Sequence, residues 1–134
     1  MDDQNNDAAK PASFGACAMR FVEIVTEIAR EAKLPGYGIE AWNRLAPLVA
    51  MDQFLLVGRG KQQLDWAGAV AAMDKWARIS SFDSALRRLE EVGALVFMEL
   101  DEWDMMENPE AKLRTMTVFE FDAVGKLFRI DAFR

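Results

Sequence analysis

Apolar residues recur at Phe14, Cys17, Ala18, Phe21, Val25, Ile28 and Ala32, three and four apart, while Arg20, Glu23, Glu27 and Glu31 fall off that stripe. Such spacing predicts an amphipathic helix, with Ser13 placed to cap its first free N–H groups. Leu34-Pro35-Gly36-Tyr37-Gly38 breaks the pattern. A second helix is expected from about Ile39, turning Trp42, Leu45 and Ala46 inward until Pro47 ends it or opens a new turn. Asp52 to Val57 reads as a short strand closed by Gly58-Arg59-Gly60. A third helix then presents Trp66, Ala69, Val70, Met73 and Ala77 on one face. From Phe82 to Leu89 the apolar spacing (Phe82, Leu86, Leu89) and the composition fit a helix.

The period then shortens to two. Ala94 to Trp103, Leu113 to Phe121 and Lys126 to Phe133 read as strands, the last two joined by Asp122-Ala123-Val124-Gly125, a four-residue hairpin loop. Alternation sorts their side chains. Ala94, Val96, Met98, Leu100 and Glu102 face the core, as do Thr115, Thr117, Phe119 and Phe121, and Phe128, Ile130 and Ala132. The outer face carries Leu95, Phe97, Trp103, Met116, Val118, Leu127 and Phe133 among charges of both signs. Apolar area of that kind invites a homodimer through the outer sheet face; ion pairs within the sheet are the alternative. Helices first and an antiparallel meander last is an α+β order. The expected architecture is a cone-shaped roll, with about three N-terminal helices packed on a curved, mainly antiparallel sheet.

Length and charge narrow this further. The chain has 134 residues, 51% hydrophobic and 28% charged, with a net charge of −6. That is one domain, expected over 13–134 behind a disordered polar lead-in over 1–12. The acidic balance argues against nucleic acid and anionic membrane as partners. No apolar run reaches the roughly 18 residues of a membrane helix, and the acidic start is unlike a signal peptide, so a cytoplasmic location is expected. One cysteine, Cys17, excludes an internal disulfide; on the apolar helix face it reads as a structural thiol. Histidine is absent, which removes the commonest general base and metal ligand. No carboxylate cluster has metal-ligand spacing, and no cofactor is expected. Gly58-Arg59-Gly60-Lys61 lacks the spacing of a phosphate loop.

Arg20-Phe21-Val22-Glu23, Ala50-Met51-Asp52 and above all Val118-Phe119-Glu120-Phe121-Asp122-Ala123-Val124-Gly125-Lys126-Leu127 give the chain its likeness to a known group. From about residue 14 to 134 it resembles the nuclear transport factor 2-like superfamily, also called SnoaL-like or cystatin-like. The resemblance implies that Phe82 to Leu89 is a strand, against local propensity. Limonene epoxide hydrolases, ketosteroid isomerases, scytalone dehydratases, polyketide cyclases and non-catalytic proteins share that fold, which does not choose among them. Where limonene epoxide hydrolases hold water with an Arg, two Asp, a Tyr and an Asn, the matching residues here are Leu100, Glu102, Ala132, Leu55 and Val57. The ketosteroid isomerase base, tyrosine and protonated acid fall on Val57, Phe21 and Thr117. The dehydratases and nearest cyclases rely on histidine, which this chain lacks.

The residues themselves leave two readings. In one, an apolar pocket lined by Phe21, Trp66, Met73, Met98, Leu100, Thr115, Thr117, Phe119, Phe128, Ile130 and Ala132 binds a small apolar molecule without chemistry. In the other, the same pocket hosts a cofactor-independent isomerase, dehydratase or hydrolase acting on a terpenoid, steroid or polyketide-like substrate. Glu102 would then be the catalytic acid or base, its pKa raised by apolar surroundings. Glu102 at the rim, hydrated or paired with Lys112 or Arg114, is the plainer alternative. Thr115 and Thr117 either orient a ligand or simply suit a strand. Trp42 and Trp76 are also expected to line or floor the pocket, Asp52 caps a strand entry, and Met105-Met106 forms a lid or an ordinary loop.

Overall fold

The computed structural model describes residues 13–58, 60–105 and 110–133. The expected lead-in over 1–12, and Met106 of the expected lid, lie outside the described residues.

Helix α1 spans Phe14–Glu31. Its start is held twice. Ser13 Oγ accepts from Ala16 N at 3.0 Å, and the carboxylate of Glu91 accepts from Gly15 N at 2.7 Å. The first turn of α1 has no acid of its own, so Glu91 supplies the negative charge that a helix N-terminus favours. Ala18, Phe21, Ile24 and Ile28 are buried beneath the helix, and Cys17 is half-buried against the core.

The second helical segment, Ile39–Leu48, is a 3₁₀ helix with Pro47 inside it, not an α-helix ended by Pro47. Three residues per turn brings Trp42, Leu45 and Leu48 onto one edge; the first two are buried and Leu48 packs on the core. Ala46, expected inward, is only half-buried. Strand β1 is Leu55–Val57, shorter than expected at its start. Residues 51–53 form a turn instead, with Gln53 N donating to Ala50 O. A two-residue strand, β2 (Gln63–Leu64), pairs back on β1 and has no counterpart in the hydrophobic pattern. Helix α2, Trp66–Ile79, is capped by the Asp65 carboxylate, which accepts from Gly68 N at 2.8 Å.

Strands β3 (Phe82–Val92), β4 (Leu95–Asp104), β5 (Leu113–Phe121) and β6 (Leu127–Phe133) complete a six-stranded sheet of order β2-β1-β6-β5-β4-β3. All neighbours are antiparallel except β1 and β6. Phe82 to Leu89 is therefore extended, as the resemblance implied and against the local pattern. The β5–β6 loop is as expected. Asp122 Oδ1 accepts from Val124 N and Lys126 N at 3.0 and 2.8 Å, and Gly125 takes the positive φ of 86° that closes the turn.

Two register shifts interrupt the alternation, one beside Arg87 on β3 and one beside Phe128 on β6. The second corrects the expected facing of β6. Leu127, expected outside, is buried opposite Phe121, and Phe128, expected inside, is half-buried and outside the core cluster. A bulge adds one residue to one strand, so side chains on either side of it fall out of period two.

The outer face carries a lattice of ion pairs within the sheet. Arg87 contacts Asp101 at 3.0 Å, and Arg114 lies 4.0 Å from Glu99 and 3.9 Å from Asp101. Arg88 lies 3.9 Å from Glu90 and 4.0 Å from Glu99, and Arg129 pairs with Asp131 at 3.1 Å. Between them runs a groove of about 350 Å³ lined by Arg88, Glu90, Val92, Phe97, Glu99 and Met116. No helix among the described residues is long and apolar enough to cross a membrane.

Candidate functional site

A cavity of about 510 Å³ lies between α1, α2 and the inner face of the sheet. Its wall follows from register. Met98 on β4 sits opposite Leu89 on β3 and Thr117 on β5, and Thr117 sits opposite Ala132 on β6. The next row along holds Phe119 and Ile130, continued by Leu56 on β1. Phe21, Val22, Val25, Thr26 and Ala29 of α1 and Met73 and Trp76 of α2 roof these rows. Phe21 meets Phe119 edge-on at 6.2 Å. Trp76 packs on Phe82 at the start of β3, with ring centroids 5.7 Å apart.

Of the expected lining, Phe21, Met73, Met98, Leu100, Thr117, Phe119, Ile130 and Ala132 are at the cavity, and so is Glu102. Three residues are not. Trp66 turns away to meet Phe54 edge-on at 5.0 Å, beneath the short β1–β2 end of the sheet. Phe128 is displaced by the β6 bulge. Thr115, opposite Leu100 on the same inner face, is buried and does not reach the cavity, and its hydroxyl donates to Glu102 Oε1 at 2.5 Å. Trp42, also expected at the cavity, is buried elsewhere in the core and bonds Tyr37 and Asp74.

Glu102 is thus half-buried and hydrogen-bonded to its neighbour Thr115 on the inner face. The two cations expected to compete for it are engaged elsewhere. Lys112 Nζ stands over the Trp103 ring, 4.8 Å from its centroid, and Arg114 joins the acids of the outer face. A carboxylate tied through one oxygen keeps the other for a ligand or a proton.

The mouth holds groups the hydrophobic pattern did not reveal. Arg30 and Lys33 from the end of α1, Ser81, Asp83 and Ser84 from the start of β3, and Met105 beyond β4 all border it. Lys33 Nζ donates to Ala29 O and Ala77 O at 3.1 and 2.7 Å, tying α1 to α2. Asp83 Oδ1 accepts from Ser84 N at 2.8 Å. Met105 N donates to Ser81 O at 2.9 Å, and its sulfur accepts from Trp103 Nε1 at 3.0 Å. Arg30 and Lys33 belong to an ordinary polar helix end, and only their position across from β3 marks them. Asp52 lies in an exposed turn away from this cavity. No group of three or more Cys, Asp or Glu among the described residues is arranged to hold a metal.

A second polar cluster stands apart from the cavity. Asp74 of α2 is buried and accepts from the Tyr37 hydroxyl in a short hydrogen bond. It also accepts from Trp42 Nε1 at 3.2 Å and Arg78 Nε at 2.9 Å. Burial alone would raise the Asp74 pKa, but the bonds from Tyr37, Arg78 and Trp42 outweigh it and hold the carboxyl below its ordinary range. Burial, then the bond to Asp74, pushes the Tyr37 hydroxyl up.

No protein family model and no curated protein matches the chain, whereas solved structures do. A cystatin-fold protein from Novosphingobium aromaticivorans superposes with a TM-score of 0.64 at 11% identity, over 92% of this chain and 100% of that one. A protein of unknown function from Cytophaga hutchinsonii, described as NTF2-like, gives 0.61 at 10% identity over 93% and 92%. The chain has the nuclear transport factor 2-like fold. An LEH-like epoxide hydrolase of M. tuberculosis shares this fold too, at a TM-score of 0.55 and 16% identity over 81% and 80%. Identities this low carry the nuclear transport factor 2-like fold and no activity. Two of the positions matched above to those of the epoxide hydrolases do not line the cavity. Leu55 and Val57 pair with Arg129 and Asp131, and it is Leu56, paired with Ile130, that reaches the cavity. Leu100, Glu102 and Ala132 do line it.

Proposed function

We propose that the protein binds a small, largely apolar molecule in the cavity between its helices and the inner face of its sheet. One observation carries this reading. The roughly 510 Å³ space is walled by Phe21, Val25, Met73, Met98, Phe119 and Ile130, in the size range and apolar character of small-molecule sites. Met73 and Met98 give the wall adaptable sides. Native mass spectrometry of the purified chain is expected to show a carried ligand, or a neutral apolar dye is expected to bind with one site. Ala132→Trp, which fills the space from β6, is expected to abolish binding. Equal binding by this folded variant would place the site elsewhere.

A second reading is favoured by the Thr115–Glu102 bond. A carboxylate held at the cavity by one oxygen is arranged as a general acid or base. The protein would then be a cofactor-independent isomerase, dehydratase or hydrolase for a terpenoid, steroid or polyketide-like substrate. With a substrate in hand, Glu102→Gln is expected to abolish turnover at unchanged Tm, and full activity would reject the role. In both readings we place the protein in the cytoplasm, with two copies joined through the outer sheet face.

A further inference from the structure

We infer that the corner formed by Thr115, Glu102 and Ser84 makes the cavity select an apolar molecule that ends in a hydroxyl over one that ends in a ketone, an ether or a carboxylate. This rests on the cavity being a ligand site. Glu102 and Ser84 are register partners on β4 and β3, and both line the cavity. Register partners share a face with Cβ atoms roughly 5 Å apart, so one ligand group reaches both side chains. The Thr115 hydroxyl is already committed to Glu102 Oε1. An ionised carboxylate only accepts, which leaves Oε2 asking for a donor, while the Ser84 hydroxyl is able to donate or accept.

A ligand hydroxyl meets both needs at once. It donates to Glu102 and accepts from Ser84. A ketone or ether has no proton for Glu102. A carboxylate has none either and brings a second negative charge against the first. Two cations at the mouth, Arg30 and Lys33, weigh the other way, toward an acid. Lys33 is spent on the Ala29 and Ala77 carbonyls, and Arg30 is exposed, where water screens it. Asp83, also at the mouth, adds a negative charge against an acid.

The test is calorimetric titration of the full chain with 1-octanol, octanoate and 2-octanone at pH 8. Octanol is expected to bind at least about tenfold more tightly than the acid or the ketone. Glu102→Gln, which offers its amide to a carboxylate, is expected to close the gap between octanol and octanoate. Ser84→Ala is expected to weaken octanol about threefold and leave the order of the three ligands unchanged. Octanoate or 2-octanone binding as tightly as octanol overturns this inference and leaves the cavity reading intact. A gap that survives Glu102→Gln overturns the assignment to this corner. Failure of all three ligands to bind overturns the inference and the cavity reading together.

Discussion

Asp74 shows how a charge is kept inside this protein. Three donors from three places in the sequence, Tyr37, Trp42 and Arg78, converge on one carboxylate. A bond to a charged acceptor is worth about 1.5–3 kcal/mol when buried; those from Tyr37 and Trp42 fasten the start of the 3₁₀ segment to α2, while Arg78, half exposed, pairs within α2. Because the native carboxyl titrates below its unfolded value, its contribution is present above about pH 4 and fades as the pH falls through the native value. Tyr37 behaves in the opposite sense. Its raised native pKa means a contribution present below about pH 10 that fades as the pH rises through the native value. Asp74→Asn is expected to lower stability at neutral pH by about 2 kcal/mol and to flatten the acid limb of the urea-unfolding profile. An acid limb identical to wild type would show that other carboxylates account for it. Tyr37→Phe is expected to cost about 1–2 kcal/mol and to remove the fade above pH 10, while an alkaline limb like that of wild type would assign it to other groups. None of this was visible in the pattern of apolar positions, because Asp74 reads there as one more polar residue on a helix.

At the scale of elements, what the sequence revealed and what it hid have one cause. Regular stretches were legible. The α1 stripe, the β5 span and the Asp122–Gly125 loop lie where alternation and turn chemistry put them. Bulged stretches were not. The extra residue, Arg87, lets Leu86 and Leu89, three apart, pair with Leu100 and Met98 on one face. Three apart is helical spacing, so a bulged strand wrote a helix-like pattern. The extra residue on β6, Phe128, moved Leu127 inward in the same way and took its own side chain out of the expected lining. Most of the cavity wall was still legible, since β4 and β5 keep a regular register through it. The mouth was not, since Arg30, Ser81 and Asp83 meet there only after α1 and β3 have packed. That packing is itself testable. Gly15 lies so close to β3 that a Cβ there would come within 3.0 Å of Leu89 Cδ2. Glu91→Ala, which strips Gly15 N of its acceptor, is expected to cost about 1 kcal/mol in urea unfolding. Glu91→Gln is expected to recover part of it. No loss in either variant would show that Ser13 caps the helix unaided.

The molecule as a whole has an apolar inner face, a cavity between that face and the helices, and an outer face where charge and apolar area alternate. Phe97, Met116 and Val118 sit there among arginines and acids already paired within the sheet. A second copy would cover the apolar area without stranding a charge, which is the arrangement a self-complementary interface needs. Light scattering at micromolar concentration is expected to give twice the 15.1 kDa chain mass, and Val118→Lys is expected to return a monomer with its Tm lowered. A monomeric wild type would remove the pairing and leave the cavity untouched.

The sheet closes in the order β2-β1-β6-β5-β4-β3, so β6, the latest of the six in chain order, stands between β1 and β5. Residues 127–133 thus act as a keystone. Until they leave the ribosome, the early arm of the protein has nothing to lean on: Leu55–Val57 lacks Arg129–Asp131, and Ala50 lacks the Leu127 carbonyl. A frameshift or stop just ahead of Leu127 would split the sheet in two instead of trimming its edge.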